Sequence, residues 1–160
     1  MENALKPASQ RVQTFLSERG KALKVKQMPA STRTASEAAE AIGCTVGQIA
    51  KSLIFEDKAS GNPVLIVASG TNMVSMDKVK VNAGLDLKKS NADFVREQVG
   101  FAIGGVPPIA HKQNVITLLD ADLKQFEVIW AAAGTPNSVF ELTPQDLDDL
   151  TQGRWVEISQ

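Results

Sequence analysis

The sequence has a single cysteine, Cys44, and a single histidine, His111, in 160 residues. One cysteine excludes an intramolecular disulfide, which fits a reducing compartment such as the cytoplasm. One cysteine and one histidine cannot supply the ligands of a closed zinc site, and no HExxH pattern is present. We therefore expect neither a structural disulfide nor a bound metal, and no motif requires a cofactor.

Long hydrophobic runs are also missing. The longest apolar stretches, residues 64–68 and 128–133, are far shorter than the roughly 20 residues that a membrane-spanning helix needs. The chain begins Met1-Glu2-Asn3 and has no apolar run of signal-peptide length. We expect a cytoplasmic protein without a membrane role.

Several common catalytic motifs are absent as well. There is no GxxxxGK[ST] phosphate-binding loop, no GxGxxG and no GxSxG. A serine–histidine–aspartate triad would have to use His111, and the chain has no GxSxG turn to present the serine. The carboxylate pairs Asp120/Asp122 and Asp148/Asp149 stand at predicted helix ends, where capping and surface charge explain them.

The net charge is small, but the charged residues are unevenly distributed along the chain. The net charge of −1 argues against a protein that coats nucleic acid by charge alone. Residues 1–118 carry 15 basic and 10 acidic side chains, whereas residues 119–160 carry 2 and 8. Two interpretations stay open: a basic face for an anionic ligand, or an uneven scatter of solvated charge.

The composition itself, 43% hydrophobic and 22% charged, is typical of a globular protein. Hydrophobic periodicity and capping signals predict helices over 8–19, 34–42, much of 76–99 with a break near Gly84, and onward from Thr143-Pro144. They predict strands over 22–28, 49–56, 64–68, 115–119, 127–133, 139–142 and 155–158. This irregular mixture predicts an α/β (mixed α+β) fold. We expect residues 1–160 to form a single domain with a mixed, barrel-like sheet flanked by helices.

Lys51 stands out within the predicted strand 49–56. Side chains alternate along a strand, so Lys51 shares one face with Ile49, Leu53 and Phe55. Because these neighbours are large and apolar, that face should be the buried one. A lysine there extends to solvent, pairs with an acid, or lines a pocket where it binds a phosphate or polarises a carbonyl.

A glycine- and proline-rich segment, Gly100 to His111, is the second feature. Gly104 and Gly105 allow backbone to approach a ligand closely, and Pro107 and Pro108 stiffen the loop. Free N–H groups of such a loop suit a carbonyl or a developing oxyanion. A tight turn explains the glycines and prolines equally well, and the lone His111 is either a substrate contact or an ordinary residue.

A third segment, Gly134-Thr135-Pro136-Asn137-Ser138, joins two predicted strands. Taken alone, it is a hairpin turn.

Together these segments resemble the YbaK/ProX-like aminoacyl-tRNA deacylases, which are related to the editing domain of bacterial prolyl-tRNA synthetases. The resemblance runs over nearly the whole chain, from the first predicted helix to the Thr-Pro helix. Its most specific parts are Lys51 in Ile-Ala-Lys-Ser-Leu and the Gly-x-x-x-Pro loop formed by Gly104 and Pro108. The Pro-Pro-Ile-Ala-His sequence is closer to the ProX-like branches than to the YbaK branch.

The resemblance implies hydrolysis of the ester between a wrong amino acid and the 3′ adenosine of tRNA. Lys51, Gly104, Gly105 and Pro108 would then be catalytic. The substrate-binding residues would be Val106, Pro107, His111, Thr135, Asn137 and Ser138. Water, or a group of the substrate itself, would attack the ester, so no protein nucleophile is needed.

The implied partners are the aminoacylated tRNA acceptor end and a prolyl-tRNA synthetase. The implied substrate is tRNA(Pro) carrying Ala, Ser, Thr, Cys or 2-aminobutyrate, with Cys the least favoured. Two rivals remain at this point: a module that binds aminoacyl-tRNA or a nucleotide without cleaving it, and a hydrolase of small esters or amides unrelated to tRNA.

Overall fold

The computed structural model describes residues 5–160, so the Met1–Asn3 segment discussed above lies outside the described residues. Five α-helices and eight strands alternate irregularly. The helices are α1 (Pro7–Glu18), α2 (Ala35–Ile42), α3 (Met76–Ala83), α4 (Ala92–Val99) and α5 (Pro144–Thr151). The strands are β1 (Val25–Gln27), β2 (Ile49–Asp57), β3 (Pro63–Ser69), β4 (Leu87–Lys89), β5 (Ile116–Asp120), β6 (Ile129–Ala132), β7 (Ser138–Leu142) and β8 (Arg154–Val156).

All eight strands belong to one mixed sheet. Its order is β1-β7-β6-β2-β3-β5-β8, and β4 pairs separately with β2. β2 and β3 form an antiparallel hairpin, while β2–β6, β3–β5 and β5–β8 are parallel pairs. The predicted mixed sheet with flanking helices is confirmed. Its two end strands, β1 and β8, do not pair with each other.

β3 is the centre of the core, because all seven of its residues are buried. Leu65 and Val67 face one hydrophobic cluster, with α1, α4 and α5, whereas Val64, Ile66 and Ala68 face a second cluster on the side of α3. A strand that is buried on both faces is expected to be a continuous apolar run, as the sequence of β3 is.

Local capping signals set the helix ends. Thr34 and Glu37 form a reciprocal capping box at the start of α2, and Gly43 ends that helix with φ +87°. Thr143 and Asp146 form the corresponding box on α5, with Pro144 in its first turn. No helix within residues 5–160 combines the length and apolarity that a bilayer span requires.

Two predictions of secondary structure were wrong in detail. The strand predicted over 22–28 is limited to β1, which is three residues long. Most of 76–99 was predicted as helix, but β4 lies between α3 and α4 and pairs with residues 55–57 of β2. Three residues cannot show a strand periodicity, so only the tertiary pairing defines β4.

Candidate active site

The candidate site is a cavity beside β2, where one edge of this strand lacks a strand partner. β3 pairs along one edge of β2. On the other edge, Ile49 and Ala50 pair with β6 and residues 55–57 pair with β4, so residues 51–54 have no strand partner there. A cavity of about 350 Å³ opens there. It is lined by Thr32, Arg33, Thr34, Ala35, Ala38, Ile49, Ala50, Lys51, Ser52, Leu53, Ile103, Gly104, Val106, Trp130, Ala131, Ala132 and Val139.

Lys51 lies half-buried in the wall of this cavity. Burial lowers the pKa of Lys51 from its ordinary value of 10.5, and the charge of Asp120 partly offsets this. Asp120 already accepts hydrogen bonds from the Ser69 N–H at 2.9 Å and from Asn72 Nδ2 at 2.8 Å. The Lys51 ammonium has no hydrogen bond or ion pair with any residue in 5–160. It is therefore free to bind an anion or a carbonyl oxygen of a ligand.

The apolar face predicted for β2 is only partly closed. Ile49 and Phe55 are buried as expected, but Lys51 and Leu53 are half-buried because they border the cavity. The edge of β2 that lacks a strand partner therefore turns an otherwise buried lysine into a cavity residue.

The loop between α4 and β5 covers the cavity with Ile103, Gly104 and Val106. Gly104 has φ +100°, a conformation that favours glycine. Among residues 5–160, the backbone N–H groups of Gly104 and Val106 donate no hydrogen bond. Gly104 and Val106, whose N–H groups are unpaired in these residues, thus border the same cavity as Lys51, an arrangement suited to a carbonyl oxygen that gains negative charge.

Arg33 lies across the same loop at the mouth of the cavity. A Cβ built on Gly104 would be 3.0 Å from Arg33 Cγ and 3.1 Å from its Nε, so glycine allows the arginine stem to pack on the loop. Arg33 is exposed and has no carboxylate partner in residues 5–160.

Gly105 does not line the cavity, and it packs instead against the turn between β6 and β7. A Cβ built on Gly105 would lie 2.8 Å from the N, Cα and C atoms of Thr135. The Gly105 carbonyl accepts a 2.8 Å hydrogen bond from the Gly134 N–H. Gly105 therefore fixes the height of the loop above the sheet.

Pro107 and Pro108 are buried, and neither they nor His111 line the cavity. His111 Nε2 lies 2.8 Å from the Pro107 carbonyl oxygen, which can only accept, so the proton is on Nε2. Burial lowers the pKa of His111 from its ordinary value of 6.5, and nearby Arg11 lowers it further. The structure thus places His111 behind the loop, where it holds the loop's shape.

Arg11 of α1 joins both ends of this loop. Its Nη1 donates to the Gly100 carbonyl at 2.9 Å, and its Nη2 donates to the Ala110 carbonyl at 3.4 Å. Its guanidinium also lies over the Phe101 ring, 4.2 Å from the centroid. Ala110 has φ +67°, which is rare for a residue with a Cβ, so this end of the loop is conformationally strained.

Thr135, Asn137 and Ser138 form a hydrogen-bonded turn that lies outside the cavity lining. The Ser138 hydroxyl is central, with Ser9 Oγ at 2.9 Å, Thr135 Oγ1 at 2.7 Å and the Ala133 carbonyl at 3.0 Å. Thr135 Oγ1 also donates to Asn137 Oδ1 at 3.1 Å. These bonds make the turn a rigid support for Gly105.

A second cavity of about 270 Å³ continues from the first along β2. Both cavities are bordered by Ser52, Leu53, Ile103, Gly104 and Val106. The second one adds mainly apolar side chains and ends at Lys89 and Ser90. Together they form a divided cleft under the loop.

The lining is cationic and has no acid. Neither cavity is lined by an Asp, Glu, His or Cys from residues 5–160, whereas Arg33, Lys51 and Lys89 border the cleft. Sequence reasoning missed Arg33 and Lys89, which no motif marks, and it gave no role to Ser52 beside Lys51; only the fold brings all three to the cleft. Within the same residues, no three His, Cys, Asp or Glu side chains cluster in a way that suits a metal ion.

Comparison with protein families gives a match over most of the chain. The aminoacyl-tRNA editing domain family matches residues 29–150. The Bacillus subtilis protein YwhH is 32% identical over 92% of this chain and 94% of its own length. EbsC of Enterococcus faecalis, a candidate Cys-tRNA(Pro)/Cys-tRNA(Cys) deacylase, is 28% identical over 79% of this chain and 77% of its own.

Among solved structures, a candidate trans-editing enzyme for prolyl tRNA synthetase has nearly the same fold. The two chains are 43% identical and superpose with a TM-score of 0.91, covering 98% of this chain and 99% of the other.

Proposed function

The chain belongs to the aminoacyl-tRNA editing domain family, and from this premise we propose that it deacylates tRNA(Pro) carrying a small wrong amino acid. The family match confirms the expectation of an aminoacyl-tRNA deacylase. The choice of tRNA, of amino acid and of site residues is our proposal. We further propose that the enzyme acts in the cytoplasm, in trans to a prolyl-tRNA synthetase.

One observation carries the proposal: Lys51, with an unpaired ammonium, lines one cavity together with Gly104 and Val106, whose N–H groups donate no hydrogen bond within residues 5–160. An ester carbonyl is a neutral acceptor that becomes an oxyanion when it is attacked. Donors held in place before the reaction stabilise that charge, and the loss of one typically costs 10²–10³ in rate.

The reaction needs few protein groups. Water attacks the ester carbonyl carbon, the bond to the ribose oxygen breaks, and the departing oxygen takes up a proton. The products are the free amino acid and tRNA with its terminal hydroxyl restored. No general base lines the cleft within residues 5–160, so catalysis rests on positioning of an already activated ester and on carbonyl polarisation.

The remaining predicted residues support this geometry rather than touch the substrate. Gly105 and Thr135 set the loop height, and Ser138 holds the turn beneath. Pro107 and His111 brace the loop from behind. We accordingly propose direct substrate contact for Lys51, Gly104 and Val106, and positioning roles for Gly105, Pro107, Pro108, His111, Thr135, Asn137 and Ser138.

Charge favours the end of a tRNA as the ligand. Arg33 and Lys89 have no carboxylate hydrogen-bond partner in the described residues, so each is available to a phosphodiester. A small free ester would leave Arg33 and Lys89 without a role.

The cavity lining favours a small amino acid. Ala35, Ala38, Ala131 and Ala132 belong to it, together with the larger Trp130 and Val139. A synthetase separates amino acids that differ by one methylene by only about 1–3 kcal/mol, so a second sieve that admits the smaller ones is needed. We propose Ala, Ser, Thr or 2-aminobutyrate as substrates, with Cys less favoured.

The test is deacylation of tRNA(Pro) charged with Ala, Ser, Thr, Cys or 2-aminobutyrate, with Pro-tRNA(Pro) as the control. We expect fast release of one or two of these amino acids and none of proline. If the enzyme in excess releases none, the tRNA(Pro) assignment is wrong.

The absence of a general base from the cleft lining favours a second candidate, a module that binds aminoacyl-tRNA without cleaving it. Binding of the charged tRNA without release would support that candidate.

A further inference from the structure

We infer that the Ser52 hydroxyl is a substrate-binding group, which hydrogen-bonds the free hydroxyl of the terminal ribose beside the aminoacyl ester. The inference rests on the proposed function, because it takes an aminoacylated adenosine as the occupant of the cleft. It adds a residue that neither the family match nor the sequence motifs assign.

The Ser52 hydroxyl has no partner in the protein. Within residues 5–160, its Oγ is the one buried side-chain nitrogen or oxygen without a hydrogen bond. Buried polar groups are almost always paired, because desolvation without a bond is unfavourable, so each exception needs an explanation. An absent ligand is one such explanation, and it can be tested.

Nearby serines show what structural hydroxyls do in this fold. Ser69 Oγ donates to the Gly47 carbonyl at 2.6 Å. Ser90 Oγ donates to the Ile54 carbonyl at 2.7 Å, and it lines the second cavity. Both of these hydroxyls are paired within the protein. The unpaired hydroxyl of Ser52 is therefore an exception among the serines near the cleft.

The position of Ser52 indicates which part of the substrate it meets. Ser52 borders both cavities, as Leu53, Ile103, Gly104 and Val106 also do, so it lies where the two cavities meet. An aminoacyl adenosine branches at its ribose, with the amino acid on one side and the base on the other. If each branch occupies one cavity, the ribose lies at the boundary. The polar ribose group next to the ester is its free hydroxyl.

The two cavities also differ in the way this arrangement requires. Lys51 borders the first cavity and not the second, so the first suits the ester and the amino acid, while Gly104 and Val106 border both. The second is mainly apolar, with Leu53, Phe55 and Val95 in its wall and Lys89 at its end. Such a space suits a flat base, with a cation placed to meet the adjoining phosphate.

The first experiment compares Ser52→Ala with the wild type in deacylation and in denaturant unfolding. Loss of one neutral hydrogen bond predicts a kcat/KM roughly tenfold lower. Removing an unpaired buried hydroxyl should leave the unfolding midpoint unchanged or raise it. Ser52→Thr keeps the hydroxyl and should retain most of the activity. In the matched control, Ser90→Ala, a bond already made is lost, so the unfolding midpoint should fall.

Each outcome decides something. Unchanged kcat/KM in Ser52→Ala overturns the inference and leaves the proposed function intact, because the wild type still turns over. A fall in both activity and the unfolding midpoint assigns Ser52 a structural role and also overturns it. If the wild type deacylates nothing, the proposed function fails, and the binding experiment below decides on Ser52.

The second experiment measures binding of two unreactive probes, alanyl-tRNA(Pro) mimics with a 3′-amide in place of the ester and either a 2′-hydroxyl or a 2′-hydrogen. We expect the wild type to bind the 2′-hydroxyl probe roughly tenfold more tightly. Ser52→Ala should bind both equally, as expected for two groups that interact. If the wild type and Ser52→Ala show the same preference between the probes, the ribose hydroxyl is not the partner of Ser52.

Discussion

The Gly105 carbonyl accepts a 2.8 Å hydrogen bond from the Gly134 N–H, which ties the loop over the cavity to the turn between β6 and β7. Gly105 lies so close to this turn that a Cβ would be 2.8 Å from three backbone atoms of Thr135. Side chains yield at such distances, but two backbone segments do not. The absence of one Cβ is therefore a condition for the loop to reach its place above Lys51.

Substitution Gly105→Ala should displace the loop and reduce activity. Overpacking against rigid backbone typically costs about 1–3 kcal/mol of unfolding free energy. We expect that loss, measured by denaturant unfolding, together with a kcat lower by at least tenfold. Gly61→Ala is the control, because Gly61 has φ +76° and no atom within 4 Å of a built Cβ. It should lose about 1 kcal/mol through strain alone, with kcat unchanged.

Arg11 should affect catalysis from outside the cavity, through the ends of the loop. In Arg11→Met, the bonds to the Gly100 and Ala110 carbonyls are lost, and the strained Ala110 is free to relax. We expect kcat to fall roughly tenfold with KM nearly constant, because each such bond contributes about 1 kcal/mol. Steady-state deacylation kinetics measure the two constants.

The matched control is Arg19→Met. Arg19 lies over the Phe15 ring at 4.1 Å, so it makes a comparable cation–π contact, and its side chain donates no hydrogen bond to the loop. Equal effects of both substitutions on kcat would show that α1 acts only through general stability.

Much of the fold could be predicted because its signals are local. The capping box of Thr34 and Glu37 and the stop at Gly43 lie within ten residues, and β2 and β3 are joined by the short turn 58–62. β4 could not be predicted, because its only support is a pairing with β2 that lies thirty residues earlier.

The site residues likewise fall into those that the sequence placed at the cavity and those that only the fold could place. Lys51 and Gly104 were predicted from their types and context, and the structure brings both to one cavity. His111 and Ser138 were expected at the substrate, but both lie outside the cavity lining, where their hydrogen bonds hold the loop and the turn. Sequence shows that a polar residue neighbours a loop, but only the fold decides which side of the loop it occupies.

Substitution of Lys51 should separate activity from stability. Lys51→Met removes the cavity's only ammonium donor among the described lining residues, so we expect kcat/KM to fall by about 10²–10³. Burial lowers the pKa of Lys51, so its charged form is disfavoured in the folded state at neutral pH. Unfolding free energy should therefore be unchanged or higher in Lys51→Met, as measured by denaturant titration.

The pH profile gives an independent check on Lys51. A donor role needs the protonated form, so the enzyme-catalysed rate should fall as pH rises through a pKa below 10.5. Spontaneous ester hydrolysis, measured without enzyme, is subtracted at each pH. In Lys51→Arg this fall should vanish, because arginine stays protonated. A wild-type profile without any alkaline fall would contradict the assignment.

Arg33 and Lys89, the cationic rim of the cleft, should set the salt dependence of tRNA binding. Each phosphate contact contributes a slope of roughly −0.7 to −0.9 to log K against log salt. We expect Arg33→Ala and Lys89→Ala each to reduce the magnitude of the slope by about one. The double variant should reduce it by about two, measured on uncleaved amide analogues of the charged tRNA.

Lys58→Ala is the control, since Lys58 pairs with Asp86 at 3.7 Å and borders neither cavity. If it lowers the slope as much as Arg33→Ala does, binding follows overall charge and the rim has no particular role.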